Sequence, residues 1–180
     1  MNRILKFYRY GDCLSHYERL IMNIRQAKIK GEVILAKPVL LVAVIDSIDK
    51  GEIISNKIYL TQKLEGRYLM LMSHYAKESQ FEEITPINNP FWHLQSDGFW
   101  HLYGQHPDKM TVTATKARLT NESIFAFVDD DLWTLLQNKE MRIMLREYIV
   151  EHKLTNGPKS RFNKVAERVG VIAALIATVA

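Results

Sequence analysis

The segment that most constrains the fold is an almost unbroken apolar run that begins at Pro38, reads PVLLVAVIDSI and is closed by Gly51. Proline in a first turn and glycine just past the last turn are common helix boundaries. Apolar side chains would cover nearly every side of this helix, whereas a surface helix carries one apolar stripe. The run therefore predicts a buried central helix, and a chain of 180 residues is long enough to surround it within one domain.

Helical spacing of apolar residues, capping residues and acidic first turns predict further helices on both sides of the central one. They cover Ile4 to Lys30 with Gly11 as a point of interruption, Thr61 to about Lys77, Asp129 to Asn138, Lys139 to about His152, and Ser160 to the C-terminus. Short extended segments are predicted at Ile58–Leu60 and at Lys109–Thr115, where β-branched residues are frequent. The chain should therefore be mainly helical.

The strongest local signal is the sequence FWHLQSDGFWHLY, from Phe91 to Tyr103, which predicts a β-hairpin. Asp97 and Gly98 stand between two aromatic-rich segments, and this dipeptide is typical of tight hairpin turns. Pro90 suits the position just before the first strand, because its missing N–H removes no bond from the ladder. With Lys109–Thr115 as a third strand, the fold class is α+β, a mainly helical single domain with a small antiparallel sheet built on this hairpin.

The length of the hairpin loop decides which side chains share a face. A two-residue loop would mix polar and apolar groups on both faces, whereas a three-residue loop from Ser96 to Gly98, with Gly98 left-handed, separates them. We expect the three-residue loop. One face then forms part of the core and consists of Trp92, Leu94, Trp100 and Leu102. The other face is polar and aromatic and comprises Phe91, His93, Gln95, Phe99, His101 and Tyr103, with His93 opposite His101.

The polar and aromatic face allows two interpretations. It is either a half-exposed sheet surface that a helix covers, or a recognition surface that donates hydrogen bonds to phosphate oxygens and offers rings for stacking. Lys37 at the start of the central helix, and Lys116 and Arg118 after the third strand, would suit recognition. Each of them taken alone also fits an ordinary surface charge. The net charge of +4 permits a polyanionic partner without requiring one.

The sequence offers little for catalysis or metal binding. Cys13 is the only cysteine, so one chain can form neither a disulfide nor a cysteine-based zinc site. His93, His101 and His106 with Asp108 follow no metal-ligand pattern such as HExxH, and glycine-rich phosphate loops are absent. We therefore expect no catalytic residue, no metal and no cofactor, and we interpret Cys13 as a packed thiol.

The two ends of the chain favour a cytoplasmic protein that does not enter a membrane. Met1–Tyr10 is broken up by polar and basic residues and lacks the apolar core of a signal peptide. Val169–Ala180 is apolar but much shorter than the roughly 20 residues that span a bilayer. This segment predicts a helix that packs on the domain or on a partner chain.

Four segments gain meaning in combination: the lysine-proline helix KPVLLVAVIDSIDKGEI, the strand NKIYLT, the motif PFWHLQSDGFWHL and the stretch DDDLWTLLQNKEMRIMLREYIVE. Together they resemble the N-terminal region of bacterial HNH restriction endonucleases. The resemblance covers roughly Lys37 to Glu151, and PFWHLQSDGFWHL is its most specific part. In related enzymes this region is a sulfur-binding domain, which reads phosphorothioate-modified DNA backbones.

Two departures accompany this resemblance. Ala36-Lys37 stands where the family often has His-Lys before the proline, and nothing after Glu151 matches a His-Asn-His nuclease site. The resemblance therefore implies a module that reads DNA without cutting it by itself, with the nuclease lost, truncated away or supplied by a partner chain. Asn156, Gly157 and Pro158 mark a break in the helical pattern, so we expect a DNA-recognition domain at residues 1–155 and a C-terminal helix at residues 156–180.

The resemblance also implies which groups would contact the DNA. Sulfur is larger, more polarisable and less strongly hydrated than the oxygen it replaces, so a reader needs an apolar cup beside cationic and hydrogen-bonding groups. The candidate contacts are Lys37, His93, Gln95, Ser96, Asp97, Phe99, His101, Tyr103, Lys116 and Arg118. The expected partner is duplex DNA, with or without a modified backbone. The alternative is a non-catalytic structural or interaction protein that forms a homo-oligomer through its C-terminal apolar helix.

Overall fold

A computed structural model describes residues 9–29, 31–79, 84–104, 115–121 and 124–155. Its helices are α1 (Tyr10–Met22), α2 (Ala36–Asp49), α3 (Gln62–Ser79), α4 (Asn88–His93), α5 (Lys116–Asn121), α6 (Asp130–Gln137) and α7 (Lys139–Ile149). Its strands are β1 (Lys28–Ile29), β2 (Glu32–Val33), β3 (Ile58–Tyr59), β4 (Trp100–Tyr103) and β5 (Phe125–Val128). The predicted α+β class, mainly helical with a small antiparallel sheet, is confirmed. The predicted C-terminal helix from Ser160 and most of the predicted strand at Lys109–Thr115 lie outside the described residues.

Helix α2 is the buried centre that its composition predicts. It packs against α3, α4, α6 and α7. Val39 and Leu40 are completely buried, and burying an aliphatic side chain of this size stabilises the fold by about 1.5–3 kcal/mol. The one polar side chain buried on this helix, Ser47, donates to the Ala43 carbonyl at 2.8 Å and accepts from Arg67 Nε at 3.0 Å, so its burial leaves no group unsatisfied.

Two helices that pack against α2 begin with a side-chain cap, which the sequence predicted at Thr61 but not at Asn138. The Leu64 amide donates to Thr61 Oγ1 at 3.2 Å at the start of α3, and the Met141 amide donates to Asn138 Oδ1 at 3.1 Å at the start of α7. Each side-chain oxygen satisfies a first-turn N–H that has no partner within the helix.

In the described part of the chain, no helix combines the length and apolar character needed to cross a membrane.

Helix α1 is shorter than its apolar spacing predicts. It ends at Met22 and not at Lys30. It begins at Tyr10, so Gly11 lies in its first turn, and the predicted part from Ile4 to Tyr8 lies outside the described residues. The Asn23 side chain donates to the Arg19 carbonyl at 2.8 Å and so satisfies one of the carbonyls at the helix end. The chain then forms the antiparallel pair β1 and β2, with a left-handed Gly31 (φ 87°) between the strands.

The hairpin predicted for Phe91–Tyr103 is wrong. Its first half is α4 followed by a 3-10 turn at Leu94–Asp97, and only its second half is a strand. Pro90 lies in the first turn of α4, where a missing N–H costs no intrahelical bond, so it starts a helix as readily as it precedes a strand. Gly98 is left-handed as expected (φ 88°), but it ends the 3-10 turn and does not close a hairpin.

Strand β4 pairs with β5, a strand that the sequence did not predict. The sheet has the antiparallel order β3-β5-β4. Its inner face belongs to the core and carries Ile58, Trp100, Leu102, Ala126 and Val128. Its outer face carries Tyr59, His101, Tyr103, Phe125 and Phe127. The Trp100 indole N–H donates to the Phe91 carbonyl at 2.9 Å, which fixes β4 against α4.

Candidate nucleic-acid interface

A pocket of about 560 Å³ opens where three separate segments of the chain meet at the start of α2. These are the segment after α1, the stretch from Ile34 to the first turn of α2, and the stretch from Thr85 through α4 to its 3-10 turn. The apolar part of the lining consists of Ala27, Ile34, Ala36 and Pro90. The polar part consists of Arg25, Gln26, Lys37, Thr85, Asn89, His93 and Ser96. The pocket therefore combines an apolar wall with cationic and hydrogen-bonding groups.

Lys37 is held in this pocket by a buried ion pair. Its Nζ lies 2.6 Å from Asp97 Oδ2 and 3.5 Å from Ser96 Oγ. The side chains of Lys37 and Asp97 are only 12% and 3% exposed. The second oxygen of Asp97 accepts the Arg25 backbone N–H at 3.0 Å. One carboxylate thus joins all three segments that form the pocket.

The start of α2 is electrostatically suited to an anion. The helix has no side-chain cap and no acidic residue in its first turn. The positive end of the helix dipole therefore adds to the Lys37 charge at the same place. Within the chain, Asp97 offsets part of this positive charge.

His101 lies away from the pocket, on the outer face of the sheet. Its Nε2 is 2.7 Å from Asp129 Oδ1, and the Tyr17 hydroxyl donates to Asp129 Oδ2 at 3.1 Å. Burial, together with the neighbouring Asp129 carboxylate, raises the pKa of Tyr17 above its usual range. Asp129 thus connects α1, β4 and the start of α6, and one ring nitrogen of His101 is engaged in this structural contact.

Tyr103 lies in a row of aromatic rings beside His101. Its ring is stacked on Phe125 at a centroid distance of 5.0 Å, and Tyr59 lies 5.4 Å from Phe125 on the other side. Lys57 Nζ lies 5.5 Å from the centre of the Phe125 ring. The Tyr103 side chain is about half exposed, so this row forms a partly open aromatic surface.

Lys116 and Arg118 belong to α5, and neither lines the pocket. Lys116 Nζ lies 2.6 Å from both carboxylate oxygens of Glu65 on α3. The side chains of this pair are 53% and 21% exposed, so water and salt weaken their attraction. The pair ties α5 to α3.

The ten candidate residues are therefore not one surface. Lys37, His93 and Ser96 line the pocket, Asp97 anchors Lys37, and Gln95 is exposed on the same 3-10 turn. His101 and Tyr103 share the sheet face, and Lys116 and Arg118 lie on α5. Phe99 is a correction: expected on the recognition face, it is completely buried in the core, as is Phe91. The predicted pairing of His93 with His101 is also wrong, because His93 ends a helix.

Several residues of the pocket were not among the candidate contacts predicted from the sequence. Asn89 and Pro90 directly precede the aromatic motif, and a helical interpretation of that motif would have placed them beside His93. Arg25 gives no such local signal. Its contact with Asp97 joins positions 72 residues apart, and only the folded chain shows it.

The described residues show neither an activated nucleophile nor a metal cluster. Cys13 is buried, and burial together with nearby Asp131 raises the pKa of its thiol to about 11, so very little thiolate exists at neutral pH. No three His, Cys, Asp or Glu side chains come together as metal ligands in the parts of the chain that the structure describes.

Solved structures share this fold. One is the sulfur binding domain of SprMcrA complexed with phosphorothioated DNA, with a TM-score of 0.57 and 14% identity over 83% of this chain and 91% of that one. Another is the sulfur binding domain of ScoMcrA complexed with phosphorothioated DNA, with a TM-score of 0.56 and 18% identity over 82% of this chain and 92% of that one. A third contains the sulfur binding domain and SRA domain of ScoMcrA complexed with phosphorothioated DNA. It has a TM-score of 0.54 and 22% identity over 75% of this chain and 41% of that one.

These similarities establish a shared fold, the one that the sequence resemblance implied. No protein-family model and no curated protein matches the sequence. The HNH endonuclease context of the resemblance stays a prediction.

Proposed function

We propose that this chain is a DNA-recognition module that binds phosphorothioate-modified duplex DNA through the pocket at the start of α2. The observation that carries the proposal is the composition of this pocket, in which Lys37 lies beside an apolar wall that includes Ala36 and Pro90. The shared fold with sulfur binding domains that were solved with phosphorothioated DNA supports the same conclusion.

The pocket chemistry suits a backbone group with one sulfur and one oxygen. The sulfur would lie against the apolar wall, where its weak hydration makes burial inexpensive. The remaining oxygen would accept hydrogen bonds from Lys37, Asn89 or His93 on the polar side. An ordinary phosphate would have to place an unbonded oxygen against the apolar wall, and such a loss costs about 1–3 kcal/mol, or roughly 5- to 150-fold in affinity.

The other candidate contacts take secondary roles in this proposal. Gln95, exposed beside the pocket, would contact the flanking backbone. Lys116 and Arg118 on α5, and His101 and Tyr103 on the sheet face, would contribute only where the duplex extends across those surfaces. Such contacts would strengthen binding to any duplex, because phosphate contacts position a protein without specifying the target.

The test is a titration of two fluorescent duplexes that differ by one sulfur atom, at two salt concentrations, followed by anisotropy. We expect tighter binding of the phosphorothioate duplex. We also expect both affinities to fall with salt while their ratio stays nearly constant, because the sulfur preference is not an effect of charge. Equal affinities at both salt concentrations, or no binding, would reject the proposal.

A matched pair of lysine variants locates the site. Lys37→Met should weaken binding and reduce the salt slope by about 0.9, the contribution of one phosphate contact. Lys63→Met removes the same charge from an exposed position at the start of α3, outside the pocket, and should leave the phosphorothioate preference intact. An equal effect of both substitutions would place the site elsewhere.

The proposal assigns recognition to residues 1–155 and leaves residues 156–180 as a segment that packs on the domain or on a partner chain. Cleavage of the marked DNA would then require a nuclease outside the recognition domain. Light scattering of the chain with and without residues 156–180, combined with the same titration, checks this division. The shortened chain should keep its preference, and loss of the preference from a folded shortened chain would contradict the division.

A further inference from the structure

Asp97 is a nearly buried carboxylate beside the pocket, and its position is fixed from several sides. It ends the 3-10 turn just before the left-handed Gly98. Its two oxygens bind Lys37 and the Arg25 amide at 2.6 Å and 3.0 Å. Since these partners belong to two different walls of the pocket, Asp97 determines where the Lys37 ammonium lies.

The same carboxylate also limits what Lys37 can offer to a ligand. A free ammonium has three N–H donors and attracts any phosphate. Here Asp97 takes one donor in a short charge-assisted bond, and Ser96 Oγ lies near a second. A free ammonium would add more binding free energy for a phosphate oxygen than for a sulfur, because oxygen is the stronger hydrogen-bond acceptor.

Lys153 is a second charged group that acts on Asp97. Its Nζ donates to the Met22 carbonyl at 2.6 Å, and neither Lys153 nor Met22 lines the pocket. Burial lowers the pKa of Lys153, while the Asp97 charge partly opposes this. Lys37 is therefore the pocket-lining cation that forms a direct ion pair with Asp97.

We infer that Asp97 is a specificity-determining and positioning residue. It holds the Lys37 ammonium in place and occupies part of its charge and hydrogen-bonding capacity, so that Lys37 stabilises a bound unmodified phosphate less. This inference rests on the proposed function. Specificity arises here from a repulsive element as well as an attractive one. The carboxylate lowers the affinity for every DNA backbone, but it lowers the affinity for the plain one more.

The test compares Asp97→Asn with Asp49→Asn, using the same two duplexes. Asp49 is a matched control because it pairs with Arg142 at 2.6 Å and lies on the same helix as Lys37, about 18 Å along its axis from Lys37. Both substitutions change the net charge equally. Asp97→Asn should tighten binding to both duplexes and narrow the phosphorothioate preference about fivefold, the equivalent of one ordinary hydrogen bond. Asp49→Asn should leave the preference unchanged.

A double variant keeps the test decisive if Asp97→Asn does not fold. Lys37→Met with Asp97→Asn removes both charges together and leaves no buried ion unpaired. Because Lys37 belongs to the binding site, this double variant should bind both duplexes more weakly than the wild type, but with no free ammonium it should still bind the phosphorothioate duplex more tightly than the plain one. A folded double variant without that preference would overturn the inference.

The outcomes separate this inference from the proposed function. If the wild type shows no preference for phosphorothioate, the proposed function fails and the role of Asp97 fails with it. If the wild type shows the preference and Asp97→Asn keeps it as fully as Asp49→Asn does, the function stands and the inference is wrong. A folded Asp97→Asn variant that binds neither duplex would also overturn the inference, because Asp97 would then be required for binding itself.

Discussion

Phe99 distinguishes the observed structure of the aromatic motif from the hairpin that its sequence suggests. On a hairpin its ring would lie on the face offered to DNA, whereas in the structure it is 0% exposed. Replacing a buried Phe by Ala costs about 3–5 kcal/mol, a large part of the roughly 5–15 kcal/mol that stabilises a typical domain. At about 2–4 °C per kcal/mol for a chain of this size, Phe99→Ala should lower the melting temperature by roughly 6–20 °C.

Thermal unfolding followed by circular dichroism measures this effect, with Tyr103→Ala as the control. The Tyr103 side chain is 55% exposed, so removing its stacked contact should cost only about 1 kcal/mol. Phe99→Leu keeps most of the apolar volume and should bind DNA as the wild type does when it is assayed below its melting temperature. A Phe99→Ala variant that melts with the wild type yet loses DNA affinity would refute the assignment of this ring to the core.

Three further predictions concern individual side chains. Since burial raises the pKa of Cys13 to about 11, iodoacetamide at pH 8 should label the native thiol far more slowly than the denatured one, and equal rates would contradict its burial. The raised pKa of Tyr17 means that the unfolded chain releases this proton first, near the ordinary value of 10.0. Stability should therefore be complete below that pH and fall above it. Urea midpoints at pH 9 and pH 11 should differ less in Tyr17→Phe, and an unchanged difference would count against the Tyr17 contact with Asp129. Asn138→Ala should cost about 1 kcal/mol through loss of the α7 cap, whereas exposed Gln137→Ala should cost little, and similar urea midpoints for the two would exclude the cap.

Local chemistry accounts for the parts of the fold that the sequence predicted. The central helix followed from its apolar composition on all sides, because such a helix has no stable place except the middle of the domain. Thr61 marked the start of α3, since a threonine hydroxyl can accept a first-turn N–H. These signals depend on residues only a few positions apart, so the rest of the fold has little influence on the structure that they predict.

The aromatic motif shows where local signals fail. An Asp-Gly pair ends a 3-10 turn as well as it closes a hairpin, and Pro90 permits a helix start as well as a strand start. Contacts outside the local sequence favour the observed helix, turn and strand over a hairpin: β4 pairs with β5, and the Trp100 indole donates to the Phe91 carbonyl. β5 itself was missed because a short apolar run does not distinguish a strand from a buried helix.

The pocket could be foreseen only in part. Lys37 and His93 were candidates because each is a basic or polar group next to a strong structural signal. The contacts that bring their segments together join Asp97 to Lys37, 60 residues earlier in the chain, and to Arg25, 72 residues earlier. Spacing along a single sequence carries no record of such contacts.

The most direct test of the central claim is a map of the bound phosphorothioate duplex on the protein by ¹⁵N–¹H correlation spectra. If the pocket binds the DNA backbone, the largest shift changes should fall on the amides of the pocket, at Arg25–Ala27, Ala36–Lys37 and Asn89–Ser96 apart from Pro90. Smaller changes are expected at Tyr59 and Phe125–Phe127 on the sheet face. The plain duplex at equal concentration should shift the pocket amides less. Shifts confined to the sheet face or to α5, or identical for the two duplexes, would contradict the claim that this pocket reads a modified backbone.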